Sequence, residues 1–468
     1  MKKLKSGTKF CYAVGNLGYG TISQTMTTFI MFFGTSVLGI KGTLVGLCIA
    51  ISAFWDGLSD PIVGYISDTY GSKTFGRRHI YLILGTIGIV LFNTLLWSVP
   101  QNFSEVSKFF WLLIMLILLE SSNTLFATPY VALGIDLAPD YNEQSSLQGF
   151  RTVFLILGMI LPSVLMMIFM PGGENSQGQL EQSGYVYISY VSSALCLICG
   201  LVCIFGTKKR VKEMPSYGLK KREKNAFFKI FYNFFLTLKQ KNYGTIILTY
   251  SVALIAAAFL TSVGMHLFTY SFHFSSTQIP ILMTILFVGA IASQPLWIYI
   301  SKRIDKKPAL MYAFVCLLVS IFMIALVFCF REDLGTNITF WFCAFCLLFC
   351  GFATGALYSL PLSMFADNVT IEKLQTGENN SATYSGYMTF AYNISNSVAL
   401  LVIGILLDLI KFDASMPVQA LAVQNMLGVI VFVGCALSII GAMLILKRYS
   451  LTRSQILKIQ MKHRNKDE

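Results

Sequence analysis

The chain has 468 residues, 55% of them hydrophobic and only 12% charged, with a mean hydropathy of +0.66, a balance that excludes a water-soluble domain of this size. Its formal charge of +13 does not point to nucleic acid, because Lys and Arg avoid the apolar stretches and collect in alternate loops. What remains is a multi-pass integral protein of a cell membrane, plasma or inner, with the lipid bilayer as a partner.

Apolar segments long enough to cross about 30 Å of hydrocarbon fall near residues 11–38, 43–67, 80–99, 107–137, 146–171, 184–207, 244–271, 278–300, 309–330, 337–365, 381–410 and 421–446. The fold class is therefore an all-α membrane protein of twelve transmembrane helices. Lys41, Lys108, Arg331 and Lys411 lie in one set of loops and Arg151 inside a span, while the remaining basic residues gather on the other side, which sets the expectation N-in and C-in. The first span is too long and too rich in Gly, Gln and Thr for a cleavable signal and is expected to stay. Along it Asn16, Tyr19, Gln24 and Thr25 make a polar stripe, and Gly15, Gly18 and Gly20 allow a close helix neighbour.

The second span carries Asp56 and Asp60 within Phe54–Asp68. Four residues apart, they project from one face about 6 Å from each other. A charge at membrane depth costs roughly 3 kcal/mol or more and survives where it lines a cavity or meets a cation, so this pair asks for a positive partner. The competing reading, an Asp capping a helix broken at Pro61, accounts for Asp60 and leaves Asp56 without a role. On the fourth span Glu120 is either a third coupling acid, a substrate acceptor, or a packing partner of Arg151. Arg151, in the fifth span, offers a fork of donors to hydroxyls, a carboxylate or a phosphate, or else pairs structurally with an acid.

Residues 208–242 are the longest polar interruption, with lysines ahead of the aromatic run Phe227–Phe235, a pattern suited to a helix lying on an anionic leaflet. The expected organisation is a six-helix bundle over 1–207 with the cation site, a basic cytoplasmic linker with an amphipathic helix over 208–243, a second six-helix bundle over 244–446, and a basic tail over 447–468. The two bundles are related. Ser59-Asp60-Pro61 with Tyr65-Ile66-Ser67 recurs as Ser293-Gln294-Pro295 with Tyr299-Ile300-Ser301, displaced by 234 residues. At that displacement Asp56 becomes Ala290 and Asp60 becomes Gln294, so a coupling cation belongs to the first half. Duplicated six-helix halves with a basic central loop describe the major facilitator architecture, whose substrate site lies between pseudo-symmetric halves. Cys196, Cys199 and Cys203 repeat the spacing of Cys343, Cys346 and Cys350 and read as packing faces, with no disulfide implied. His266 reads as a packed or cavity-lining histidine.

At Trp55 to Gly64, Gly76-Arg77-Arg78, Thr128 to Leu133, Pro139 to Arg151, Met364 to Asp367 and Thr376-Gly377-Glu378 the sequence resembles the glycoside-pentoside-hexuronide cation symporters of the major facilitator superfamily, the branch that contains the melibiose permease. The resemblance implies a cation site at Asp56, Asp60, Ser59 and Thr124, with sodium on Asp56 and Asp60 if the protein is sodium-coupled. It matches the family's substrate-contacting Arg to Arg151 and its Thr to Thr389. Its remaining sugar-binding acids fall on Gly20 and Ala127, its Trp on Val131 and its Lys on Asn393. Asn16, Tyr19, Glu120, Arg151, Thr389 and Asn393 are thus the candidate substrate contacts. Asp68, Arg77, Arg78, Asp136 and Asp367, at cytoplasmic helix ends, are the candidate gate, pairing across the halves.

The expected function is a cation-coupled symporter (sodium or proton) moving a small sugar or glycoside by alternating access, acting as a monomer, without a cofactor beyond its coupling ion. A symporter of lysophospholipid or another amphiphile is the alternative, since the family includes these, followed by a non-transporting sensor on the same fold. No nucleophile–base pair is visible, so the chain does not read as an enzyme.

Overall fold

The computed structural model describes residues 4–70, 76–137, 141–170, 178–212, 234–376, 381–413, 416 and 418–455. Among these the architecture is helical throughout. The first six helices are α1 (Ser6–Phe32), α2 (Gly42–Thr69), α3 (Gly76–Trp97), α4 (Glu105–Leu137), α5 (Tyr141–Phe169) and α6 (Gln182–Lys212). The second six are α7 (Lys241–Ser271), α8 (Gln278–Ile304, broken at Ser293), α9 (Lys306–Cys329), α10 (Arg331–Thr376), α11 (Ser381–Leu409) and α12 (Leu421–Leu446). Eleven of the described helices are long and apolar enough to cross a membrane. The other, α1, has the length but is diluted by its polar stripe of Asn16, Thr21, Gln24, Thr25 and Thr28, which are buried inside the protein. The helices outrun their apolar segments: α10 spans 46 residues as two helices joined across a kink at Gly335 (φ 71°, ψ 160°). Residues 213–233 of the expected amphipathic linker lie outside the described residues, as does the tail from 456.

By contacts the chain forms two compact units, Met1–Lys224 with Ser275–Pro280 and Asp413–Met416, and the remainder. In the first, α1 packs on α5 and α6, α3 on α4 and α6, and α2 on α4. The second unit repeats this scheme: α7 packs on α11 and α12, and α9 on α10 and α12. Small residues set the closest approaches. A Cβ on Gly18 would lie 2.6 Å from Cys196 Cα, one on Gly15 would lie 3.1 Å from Cys203, and one on Gly158 would lie 2.6 Å from the Leu17 carbonyl. The glycines of α1 and the cysteines of α6 are therefore two sides of one seam.

The internal repeat extends to backbone detail. A π-helical turn at Phe33–Val37 is matched by one at Leu267–Ser271, at the same displacement of 234. Each is closed by the same two bonds, Leu38 N–H to Phe33 O and Ile40 N–H to Gly34 O in one half, Phe272 N–H to Leu267 O and Phe274 N–H to Phe268 O in the other. Each ends in a left-handed residue, Gly39 (φ 69°) and His273 (φ 56°). Such turns interrupt a helix where its end must be re-aimed.

A candidate cation site in the first half

Helices α2 and α4 place the site. Thr124 donates a hydrogen bond to Asp56 Oδ1 at 3.0 Å, and Thr128 donates to Asp60 Oδ1 at 3.0 Å. Both pairs are 68 residues apart, so α2 and α4 run parallel with a fixed register, and one face of acids meets one face of hydroxyls. Ser59 Oγ lies 2.9 Å from Thr124 Oγ1 and 3.1 Å from the Asp56 carbonyl. Above them Trp55 Nε1 donates to Ser121 Oγ at 2.8 Å. The four residues expected to form the cation site, Asp56, Asp60, Ser59 and Thr124, are thus one cluster. Thr128 completes it, repeating on α4 the four-residue spacing that Asp60 makes with Asp56, while Ser121 lies at its edge as the partner of Trp55.

The donor set is all oxygen. A hydroxyl has one hydrogen and two lone pairs; with its hydrogen committed to Asp56, Thr124 still has acceptor capacity for a cation. Carboxylate and hydroxyl oxygens of this kind suit a hard cation more than a soft transition metal.

Around the cluster stand the candidate substrate residues of the first half. Tyr19 lies within electrostatic range of Asp56, Glu120, Asp60 and Arg151. Glu120 is buried and accepts a hydrogen bond from Asn123 Nδ2 at 3.1 Å. Asn16 Nδ2 donates to the Arg151 carbonyl at 3.2 Å, tying α1 to α5. The Arg151 guanidinium lies 5.9 Å from the Tyr130 ring centre, within cation–π range. Four rings form a continuous stack from there: Tyr12 on Tyr130 at 4.5 Å, Tyr130 on Phe126 at 5.4 Å, and Phe126 on Tyr19 at 6.3 Å. Tyr12 and Tyr130 also exchange bonds, each hydroxyl donating to the other's carbonyl at 3.0 and 2.9 Å. Gly134 is required beneath them, because a Cβ there would meet the Tyr12 hydroxyl at 2.2 Å. Nothing in the residue-by-residue reading of the sequence singled out this column.

In the second half Thr389 is exposed and Asn393 buried on α11. His266 is fully buried, with Nδ1 3.1 Å from the Ser262 carbonyl and its ring edge-on to Phe412. Of the candidate gate, Arg78 Nε lies 3.4 Å from Asp136 Oδ2 and its NH1 donates to Ser67 Oγ at 2.8 Å, while Lys306 pairs with Asp367. Each of these ion pairs joins two helices of the same half. The side chains of Asp68 and Arg77 lie outside the described residues.

A family model described as MFS/sugar transport protein matches residues 11–453, nearly the whole chain. The chain belongs to this family. The sodium-dependent lysophosphatidylcholine symporter 1-A of Danio rerio is 24% identical to it over 452 residues, covering 91% of this chain and 82% of that protein. The inner membrane symporter YicJ of Escherichia coli (strain K12) is 29% identical over 210 residues, 44% of each chain. Among solved structures, that of a D-xylose-proton symporter superposes with a TM-score of 0.63 at 12% identity, covering 92% of this chain and 96% of the other, a likeness of fold. This match over nearly the whole chain bears out the resemblance drawn from Trp55 to Gly64.

Proposed function

We propose that this family member is a cation-coupled symporter whose coupling ion is held by Asp56 and Asp60 with Ser59, Thr124 and Thr128. The observation that carries the reading is the matched register of α2 and α4, which gives each intramembrane carboxylate a hydroxyl partner and leaves two negative charges for a cation to neutralise. Cation and substrate then occupy the same state, and each raises the other's affinity by the same factor. Asn16, Tyr19, Glu120 and Arg151 serve the substrate in the first half, and Thr389 and Asn393 in the second. No cofactor enters this cycle.

For the substrate, a small sugar or glycoside is the first reading: amides, phenols and a guanidinium address hydroxyls, and Tyr19 at the end of the aromatic stack offers a face to a pyranose ring. A lysophospholipid or related amphiphile is the second. It is favoured by the length of the match to the zebrafish symporter, and Arg151 would address its phosphate. Uptake into proteoliposomes under imposed sodium or proton gradients, with a labelled glycoside in one arm and a labelled lysolipid in the other, tests both. The paired change Asp56→Asn and Asp60→Asn is expected to abolish accumulation against a gradient. Concentrative uptake by that variant overturns the proposal.

A further inference from the structure

Asn123 lies on α4 one turn from Glu120, is 3% exposed, and gives its amide N–H to Glu120 Oε2. The carbonyl oxygen of the same amide, Oδ1, is buried and has no hydrogen-bond partner. A buried acceptor left unmade is costly, so this orphan asks for a donor. Glu120, already bonded to this amide, supplies one when it carries a proton. A carboxylic acid and a primary amide form a cyclic pair, with N–H donating to one acid oxygen and the acid O–H donating to the amide carbonyl. Half of that ring is already made. The missing half is a proton on the second oxygen of Glu120.

We propose that Glu120 and Asn123 form a proton-binding site separate from the carboxylate pair, and that its proton is released when a cation enters at Asp56 and Asp60. The surroundings fit a carboxylic acid. Asp60 on α2 acts on Glu120 electrostatically, and like charges that close disfavour joint ionisation. From α1 the Tyr19 phenol lies within electrostatic range of Glu120, as it does of Asp56 on α2 and Arg151 on α5. From α3 nothing titratable arrives, since Leu82 to Trp97 carries no ionisable side chain and meets α4 at Gly85 and Gly88 against Phe126 and Ser122. Three acids against the one guanidinium of Arg151 leave a net charge of two negatives. Without a cation at the pair, a proton on Glu120 reduces this to one; a cation at the pair does the same, and Glu120 can then ionise. The two sites therefore compete, and by reciprocity the proton weakens cation binding as much as the cation weakens proton binding.

This inference rests on the cation reading for its second half only, and the test separates the two. Infrared difference spectra of the full chain in lipid nanodiscs, in choline buffer near neutral pH, are expected to contain a protonated-carboxyl C=O band. The band is lost in Glu120→Gln and shifted in Asn123→Leu, where the acid lacks its amide partner. Adding sodium or lithium removes it from the wild type. In calorimetry the wild-type sodium affinity is expected to fall about tenfold for each unit of lowered pH, one proton exchanging for one ion, and in Glu120→Gln to lose that dependence. No acid band in the wild type, or a band that survives Glu120→Gln, overturns the proton site. A band that persists while sodium binds makes Glu120 a fixed structural acid and overturns the exchange. If the band behaves as expected in both variants and neither ion binds, the proton site stands and the metal-ion reading of Asp56 and Asp60 is what fails.

Discussion

Thr124 and Thr128 replace part of the hydration that Asp56 and Asp60 lose at membrane depth. A hydrogen bond to a charged group contributes about 1.5–3 kcal/mol, and each threonine oxygen is also a candidate ligand. Thr124→Val and Thr128→Val are isosteric deletions of one such oxygen each, and each is expected to weaken cation binding by about ten- to a hundredfold, read as the sodium or proton concentration giving half-maximal uptake. Ser121→Ala, which removes the partner of Trp55, serves as the control, with an expected change below about threefold. A Thr128 variant with wild-type ion dependence would remove it from the site. Asp56 and Asp60 were legible at this scale because a charge in an apolar run is conspicuous by itself. Thr128 was not, because a threonine in a membrane helix has many ordinary uses, and its spacing gains meaning only beside the partner helix.

Between elements, the two halves use one scheme for different ends. Where α2 and α4 meet through carboxylates and hydroxyls, α8 and α10 approach closely at glycines, and Gln294 Nε2, in the place of Asp60, donates to the Gly355 carbonyl at 2.9 Å: a Cβ on Gly351 would lie 2.1 Å from the Leu286 carbonyl, and one on Gly355 would lie 2.5 Å from the Ala290 carbonyl. Gly351→Val should therefore destabilise the protein by about 3 kcal/mol, lowering its thermal midpoint. Gly149→Ala, with nothing within 4 Å, should leave the midpoint unchanged or raise it. Asp305 (φ 79°, ψ 159°) joins α8 to α9 in a region that suits glycine, and its carboxylate accepts from the backbone N–H of Lys306 and of Arg453. Strain of this kind costs about 1–3 kcal/mol and persists only where its surroundings hold it. Asp305→Ala keeps the strain and loses both bonds, so it is expected to lower the midpoint and to expose the segment around Arg453 to protease. Substitution of Asp60 by Gln294 announced the asymmetry of the halves in the sequence; the glycine contact that accompanies it did not, because glycines are common in membrane helices and only the facing backbone shows which are crowded.

Over the whole molecule, the displacement of 234 residues relates motifs, π turns and left-handed turn residues alike, which is how a duplicated six-helix unit keeps its geometry while its site chemistry diverges. The bias of Lys and Arg among the loops leads us to expect both termini on the cytoplasmic side. Tags at residues 1 and 468 should be reached by an impermeant reagent only after the membrane is opened; labelling of either tag in sealed cells would reverse the orientation. The ion pairs Arg78–Asp136 and Lys306–Asp367 occupy corresponding helix ends of the two halves, so each half carries its own clasp.

The sequence alone determined the membrane class, the twelve spans, the repeat and the carboxylate pair, since the cost of placing polar groups in hydrocarbon is local and falls on each segment as it stands. Tertiary structure decided that Thr128 serves Asp60, that Asn123 serves Glu120, that Tyr12 to Tyr19 are joined through one aromatic column, and that Arg78 meets Asp136 and Lys306 meets Asp367. Those outcomes depend on which helix faces meet, and that is fixed by the approach of small residues far apart along the chain.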